Sequence, residues 1–291
     1  MFGYVFYRQF QYKMVTHARV FSLKFNEGIS NRQGIFISNS LKYLYKLFGY
    51  ENMCSWDKIK ELKIKLPIYN NKIYFEFMNT FIEELEALRI EELEAYLSIT
   101  GLNNYNLTVE EINVINNFDK LNWCEFNLSK LYGKASRGKR LKSEDRVKGI
   151  LPFVTAGEAN EGISDFIGND VEVYSSNTTT IDMFGSAKYR NYKYGGDDHI
   201  AVVHTECLEK YAAIFVTTAI NKSSHNGQFS YDKNFYAKDA DALNIQLPSI
   251  NNEPDYNTMS LIISAIHKMV IEDVVRYTDN KINSTKEVIK C

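Results

Sequence analysis

Leu62-Lys63-Ile64-Lys65-Leu66-Pro67-Ile68-Tyr69-Asn70-Asn71-Lys72-Ile73-Tyr74-Phe75-Glu76-Phe77-Met78 returns in outline as Leu243-Asn244-Ile245-Gln246-Leu247-Pro248-Ser249-Ile250-Asn251-Asn252-Glu253-Pro254-Asp255-Tyr256-Asn257-Thr258-Met259. Seven of the seventeen aligned residues are identical, all at one offset (259 − 78 = 181): Leu62, Ile64, Leu66, Pro67, Asn70, Asn71 and Met78 match Leu243, Ile245, Leu247, Pro248, Asn251, Asn252 and Met259. A helix-like segment follows each copy. Upstream the echo is fainter. Gly34-Ile35-Phe36-Ile37-Ser38 faces Ala213-Ile214-Phe215-Val216-Thr217, and His17-Ala18-Arg19-Val20-Phe21 faces His199-Ile200-Ala201-Val202-Val203. A period this long marks a duplicated domain-plus-helix unit, not a solenoid of short repeats. The competing account, two unrelated strands that each end in Leu-Pro before a helix, leaves the shared Asn-Asn unexplained. Duplication yields two similar surfaces at a set distance, which suits recognition better than catalysis.

The chain around these copies has 291 residues, 45% hydrophobic and 24% charged, with four Pro and fifteen Gly, the composition of a globular protein. Its length accommodates one large domain or two ordinary ones. Four cysteines (Cys54, Cys124, Cys207 and Cys291) show neither C-x-x-C nor metal-ligand spacing, so reduced thiols in a cytoplasmic protein are expected. The start lacks a basic region followed by an apolar core, which argues against a signal peptide. No apolar run is long enough to span a membrane. A net charge of −2 gives no global electrostatic argument for nucleic acid; only the distribution of charge can.

Periodicity predicts two long helices. In Phe75 to Ser98 the apolar stripe is Met78, Phe81, Ile82, Leu85, Leu88, Leu93, Tyr96 and Leu97, with glutamates opposite and Gly101 as the C-terminal stop. From Tyr256 to about Lys281 it is Met259, Ile262, Ile263, Ile266, Val270, Val274 and Tyr277, with Asp255 as N-cap. Such stripes suit an antiparallel, coiled-coil-like pair, with Met78, Phe81, Leu85 and Leu88 meeting Met259, Ile263, Ile266, Val270 and Val274. Packing of each helix on its own domain is the alternative. The expected organisation is residues 1–69, the end of a shortened first domain; 70–102, the first helix; 103–117, a connector with a helical piece near Glu110 to Ile115; 118–250, a complete second domain; and 251–291, the second helix and tail. Gly149 to Val154, Val171 to Tyr174, Thr178 to Ile181 and Ile200 to Val203 read as strands, so the domain is α/β (α+β) and strand-rich. Ala212 to Ile220 fits a buried helix or a strand.

Basic charge is concentrated. Lys130, Lys134, Arg137, Lys139, Arg140, Lys142, Arg146 and Lys148 are opposed only by Glu144 and Asp145, and Lys188-Tyr189-Arg190-Asn191-Tyr192-Lys193-Tyr194 interleaves cations with aromatics. Such clusters neutralise phosphates, and Arg, Asn and Tyr also reach base edges. Catalytic motifs are missing: there is no phosphate-binding G-x-x-x-x-G-K-[ST], no G-x-G-x-x-G and no Asn-Pro-Pro-Tyr-type motif. Asp197, Asp198 and His199 could hold a metal as a nuclease would. His204, at the far end of a strand-like alternation, falls on the opposite face. The expectation is a non-catalytic chain, with a metal-dependent nuclease at Asp197/Asp198/His199, an inactive remnant, or a protein-interaction module as alternatives.

The order domain, long helix, domain, long helix, with Leu-Pro closing each domain, frames two further stretches: Leu151-Pro152-Phe153-Val154-Thr155-Ala156-Gly157 and Thr180-Ile181-Asp182-Met183-Phe184-Gly185-Ser186-Ala187. Together with Phe48-Gly49-Tyr50 and Ser55-Trp56-Asp57-Lys58-Ile59, they resemble the specificity subunit of type I restriction-modification systems and of related type II systems with a separate specificity chain. The resemblance covers nearly the whole chain and is strongest from Trp123 to Tyr277. It implies target recognition domains that each read half of a bipartite double-stranded DNA sequence. It also implies a helical spacer that docks adenine-N6 modification (methyltransferase) subunits, with a restriction subunit as a further partner. S-adenosylmethionine, ATP and Mg belong to those partners and none to this chain. A helix of about 25 residues at ~1.5 Å each matches about eleven base pairs. The first domain departs from the family in lacking a counterpart of Phe153 to Tyr194, which implies an N-terminally truncated form, one that a second copy could complete by helix pairing. DNA contacts are expected at Arg137, Lys139, Arg140, Lys188, Tyr189, Arg190, Lys193, Lys222, Ser224 and His225.

Overall fold

The computed structural model describes residues 2–14, 20–26 and 28–289, with side chains to residue 282 of the last helix. It divides into two compact units, Met1–Asn103 with Val274–Cys291, and Asn104–Asp273.

In the first unit, α1 (Asn31–Ser40) and the short α2 (Trp56–Ile59) precede a two-stranded hairpin, β1 (Ile68–Tyr69) and β2 (Lys72–Ile73), and then α3 (Phe75–Ile99). Asn70 and Asn71 make the hairpin turn at φ 49° and 61°. Left-handed geometry at both central positions is what a two-residue turn needs to match strand twist, and asparagine tolerates it. The Tyr74 amide then donates to the Pro67 carbonyl oxygen (2.9 Å), and α3 begins. Its end is set by Gly101 at φ 69°, with the Leu102 amide bonded to the Leu97 carbonyl oxygen, so the expected stop holds. Phe36 of α1 packs edge-on to Phe77 and Phe81.

The second unit opens with α4 (Val109–Asn116), capped by Thr108. Three sheets follow. One has the order β13-β12-β3, with β3 (Trp123–Asn127) antiparallel to β12 (Asn244–Ile250) and β13 at Glu253–Pro254. The second has β4 (Ser136–Arg137), β8 (Thr178–Asp182), β9 (Ala187–Arg190) and β11 (Ile200–Val203) in the order β4-β11-β8-β9. The third has β5 (Lys148–Val154), β6 (Ile163–Ile167), β7 (Val173–Tyr174) and β10 (Tyr194–Gly196) in the order β6-β5-β10-β7. Helices α5 (Leu128–Tyr132), α6 (Lys210–Ser224) and α7 (Ala237–Ala242) cover the sheets, and α8 (Tyr256–Ile289) leaves the domain. The stretch Ala212 to Ile220 therefore lies in a helix.

Strand β11 is buried on both faces. Ala201 and Val203 enter one core with Leu128, Ile181, Val216, Ile220, Ile245, Leu247 and Met259; Ile200 and Val202 enter another with Val154, Tyr174 and Tyr194. That is why four consecutive apolar residues stand there without a polar alternate.

The duplication is structural. Asn251 and Asn252 repeat the left-handed pair at φ 52° and 63°, and the Asp255 amide donates to the Pro248 carbonyl oxygen (2.8 Å), as Tyr74 does to Pro67. Met78 and Met259 are both fully buried. The aligned segments of α1 and α6 are both helical, and their N-cap residues contact matching places: Ser30 bonds Asn79 of α3, and Glu209 bonds Ser260 of α8. Of the remaining echo, His17-Ala18-Arg19 lies outside the described residues. Val20 and Phe21 have no secondary structure, whereas Val202 and Val203 form strand.

One expectation about the helices needs correction. Met259 belongs to the core of its own domain, Met78 is buried at the equivalent place, and Ile263 is 9% exposed, so these three are not available for helix pairing. Beyond the first turns the stripe is open: Phe81, Leu85 and Leu88 on α3 and Ile266, Val270 and Val274 on α8 are all at least 38% exposed.

Helix α4 is locked to α8 by Glu111, which accepts from Ser264 Oγ (2.6 Å) and Lys268 Nζ (2.8 Å). Burial alone raises its pKa, but the bonds from Lys268, Ser264 and Thr108 outweigh burial and hold it below the ordinary carboxylate value. Replacing Lys268 by Met should cost about 3 kcal/mol, because it leaves a buried carboxylate without its cation. In the parent chain this contribution is complete above the ordinary glutamate range and is lost as pH falls through the depressed folded value. Urea melts at neutral and acidic pH read both effects. At the turn, Asn252→Val should cost about 1–2 kcal/mol and Asn252→Gly little, measured in the same way.

Candidate nucleic-acid interface

The basic segment after β4 is held by its backbone and free at its side chains. Gly138 N donates to Ile200 O (3.1 Å), Lys139 N to Gly196 O (2.9 Å) and Leu141 N to Asp197 Oδ1 (3.2 Å). A Cβ at Gly138 would collide with the Asp197 carbonyl oxygen, so glycine is what lets the two segments lie together. Further along, Arg146 lies over the Phe153 ring and bonds Ser164 Oγ (3.1 Å) and Leu141 O (3.3 Å), while Val147 N donates to Asn169 Oδ1 (2.8 Å). Between these anchors Lys139, Arg140 and Lys142 point outward. Lys139 is 3.9 Å from Glu172 and Lys142 is 3.3 Å from Glu144, both exposed pairs of little strength. Arg140 has no acidic partner among the described residues.

Arg137 is fastened to the neighbouring turn: Nε donates to Asp198 O (2.8 Å), and Nη2 lies 3.5 Å from Asp198 Oδ2. Its guanidinium also sits 5.3 Å from the centre of the Tyr236 ring, which Lys238 Nζ approaches at 6.0 Å. Arg137, Tyr236, Ala237 and Lys238 line a cleft of about 400 Å³. A second, of about 350 Å³, is lined by residues 140–144 with Arg146, Asp197 and His199. Tyr236 and Lys238 were not among the sequence-predicted contacts. No local pattern marks them; the pairing of distant segments brings them to Arg137.

The second predicted cluster divides. Arg190 is 1% exposed, with Nε on Thr180 Oγ1 (2.9 Å) and Nη1 on Tyr192 OH (2.9 Å). It is a core arginine and does not reach DNA. Ser224 is likewise corrected: fully buried, its hydroxyl lies between the carbonyl oxygens of Gly185 (2.6 Å) and Ile220 (2.9 Å). Lys188 is mostly buried and bonds Glu158 (3.2 Å) and Ser186 (2.8 Å), and Tyr189 OH donates to Asn177 (2.8 Å). Lys193, Lys222 and His225 are exposed. Lys188 and Arg190 belong to β9 and Tyr194 to β10 of another sheet, and the exposed Lys193 stands in the link between them. Lys188 and Arg137 stand on the two edge strands of one sheet, three strand spacings or roughly 14 Å apart, so the predicted residues do not form one patch.

Asp182 joins the two stretches that carried the family resemblance. Its Oδ1 accepts the amides of Phe184 (2.9 Å) and Ser186 (3.0 Å), and its Oδ2 that of Gly157 (3.2 Å). A model of the type I restriction modification DNA specificity domain matches residues 1–95 and 120–276, most of the chain. The chain belongs to that family. As a specificity subunit it recognises DNA sequence, assembles with restriction-modification subunits and is non-catalytic. It is 22% identical over 244 residues to the specificity subunit S.BcgI of a type II restriction enzyme from Heyndrickxia coagulans, covering 81% of this chain and 67% of that one. Among solved structures, the type I S subunit from M. genitalium aligns at 15% identity with a TM-score of 0.48, over 88% of this chain and 70% of that one. The HsdS subunit from Thermoanaerobacter tengcongensis aligns at 15% identity and a TM-score of 0.36, over 85% and 62%.

The family assignment gives no support to the nuclease alternative. Asp197, Asp198 and His199 do offer ligand atoms within 4.8 Å of one another. However, Asp197 is bound to the Leu141 amide, and Arg137 brings a fixed cation to Asp198. His204 faces elsewhere, bonded to Ser136 and Glu206. Among the described residues no helix is long and apolar enough to cross a membrane.

Exchange of Arg190 for Ala should destabilise the domain by about 3 kcal/mol, since it empties the space of a large buried side chain and removes its bonds to Thr180 and Tyr192. In whatever fraction remains folded, the salt dependence of DNA binding should be unchanged, as a filter-binding titration at several salt concentrations would read.

Proposed function

We propose that Asn104–Asp273 reads one half of a bipartite double-stranded DNA target through the surface around Arg137, Lys139, Arg140, Lys142, Tyr236 and Lys238. The observation that carries this is the basic segment with its backbone fixed at several points and its cations exposed. Such a surface meets phosphates without having to order its main chain first. Within it, Tyr236 flanked by two cations is suited to contact a sugar or base. Lys193, Lys222 and His225, exposed but apart from that surface, are further candidates for contact with DNA.

In this reading residues 118–250 form the recognition domain, 1–69 a smaller counterpart, and the long helices at 70–102 and 251–291 a spacer that docks methyltransferase and restriction subunits. S-adenosylmethionine, ATP and Mg are bound by those subunits. The open stripe Ile266, Met269, Val270, Val274 and Tyr277 on α8 also favours pairing with a second copy, which would put two recognition domains on one symmetric target.

Replacing Lys139 and Arg140 together by Ala should lower DNA affinity and reduce the slope of log K against log salt by about 2, one for each phosphate contact removed. An unchanged slope removes this segment from the interface. Co-expression with a modification subunit in a methylation-free host should create one new bipartite N6-methyladenine motif; absence of any motif, with both proteins folded, would overturn the reading. A palindromic motif supports the second copy, and Val270→Asp should then return the assembly to a single copy in light scattering.

A further inference from the structure

Between α6 and α7 the chain makes a small hairpin that the cleft around Arg137 does not account for. Ser230 N donates to Lys233 O (3.0 Å) and Lys233 N to Ser230 O (3.1 Å), an isolated antiparallel bridge, so Tyr231 and Asp232 form the turn. The base of the hairpin is clamped. Phe235 is 1% exposed, its amide donates to the Met183 carbonyl oxygen (2.9 Å), and its ring meets that of Phe229 edge-on across the stem (4.9 Å). Phe184, from the turn that Asp182 caps, sets its ring edge-on to Tyr231 (5.1 Å). The Asn234 amide nitrogen, in the orientation that satisfies it, donates to the carbonyl oxygens of Ser230 (2.8 Å) and Tyr231 (3.1 Å). The other end of that amide meets the Tyr236 hydroxyl (3.3 Å), which joins the hairpin to the surface of Arg137, Tyr236 and Lys238. Despite this bracing Tyr231 is 81% exposed, with Asp232 exposed beside it.

We propose that the Tyr231-Asp232 tip reads base edges in the major groove, with Asp232 accepting from the exocyclic amine of a cytosine and Tyr231 packing beside it. This rests on the reading of Asn104–Asp273 as the domain that binds a DNA half-site. A two-stranded ribbon fits the major groove, and a carboxylate placed there pairs with the cytosine N4 amine. The charge pattern agrees. From Lys222 to Lys238 the cations are Lys222, Lys233 and Lys238, and Asp232 is the one carboxylate. Among phosphates, a carboxylate weakens binding to every sequence that offers it no donor, so it contributes discrimination and not general affinity. The tip meets DNA already ordered, because its stem is fixed in the core and its turn carbonyls are held by Asn234. Sequence alone leaves Tyr231 and Asp232 unremarked: they stand in a polar loop, and only the clamp beneath them distinguishes them from it.

The test maps N6-methyladenine in a methylation-free host that expresses the full chain, parent or Asp232→Ala, with a modification subunit. The variant should keep the other positions of the parent motif and relax one position that is cytosine in the parent. In competition titrations with duplexes altered at that base pair, the preference for cytosine should fall by roughly tenfold or more. The slope of log K against log salt should stay as it is, since no phosphate contact is lost. Asp232→Asn, which keeps the shape and loses the charge, should relax the same position. A parent motif retained in full by both variants would overturn the proposal. So would a loss spread equally over cognate and unrelated DNA with a smaller salt slope, which makes the tip a backbone contact. Inosine in place of the paired guanine removes only a minor-groove amine; if that exchange alone abolishes the preference, the tip reads the other groove and the proposal falls. No motif from the parent chain sinks the underlying half-site reading and this proposal with it, whereas a motif indifferent to Asp232 removes the tip alone.

Discussion

Two consecutive asparagines in left-handed conformation determine where each half of this molecule changes from strand to helix. A two-residue turn allows no slack. Once Asn70-Asn71 or Asn251-Asn252 reverses the chain, the carbonyl of the preceding proline lies opposite the residue that starts the helix, and the bond between them sets the helix origin. The buried methionine four residues on follows from that origin. The same geometry arises in the smaller unit, at the hairpin of β1 and β2, and in the larger one with three sheets. It is therefore a local property of the sequence, not a result of the packing around it. The two copies differ in the sheets that surround them, yet their helices start alike.

In the larger unit the middle strand β11 carries the architecture. Because it belongs to two cores, the sheets on either side of it cannot shift independently, and the segments anchored to its ends inherit that rigidity. The basic segment is one of them: its backbone is bonded to Ile200, Gly196 and Asp197 at the start of β11. Fixed backbone and free side chains suit a recognition surface, since the ordering cost of the loop has been met on folding and substitution of an outward cation leaves the core untouched.

Much of this was legible in the sequence, for identifiable reasons. The repeat was visible because turn and helix start are local, and Gly101 and Asp255 bound their helices as their chemistry requires. Strand Ile200–Val203 was legible as an unbroken apolar run. The failures share a cause. Arg190 looks like a surface cation until Thr180, ten residues earlier, is seen to supply its acceptor. Ser224 looks like a polar helix end until Gly185 closes against it. Met78 and Met259 carried the periodicity of a pairing stripe, but periodicity says which face is apolar and not what covers it. Tyr236 and Lys238 stand beside Arg137 only through the fold.

Strand β8 is buried throughout, yet it reads Thr178-Thr179-Thr180-Ile181-Asp182. Each polar group has a dedicated partner: Tyr194 for Thr178, Thr217 for Thr179, Arg190 for Thr180 and the turn amides for Asp182. An aliphatic strand in this position could slide by two residues and still find grease on both sides. This one cannot, because any slippage strands hydroxyls and a carboxylate in a dry interior. The arrangement acts as a proofreader of assembly: mispaired sheets are costly from the moment they form, which guards a strand-rich domain against kinetic traps and against sticking to its neighbours during synthesis.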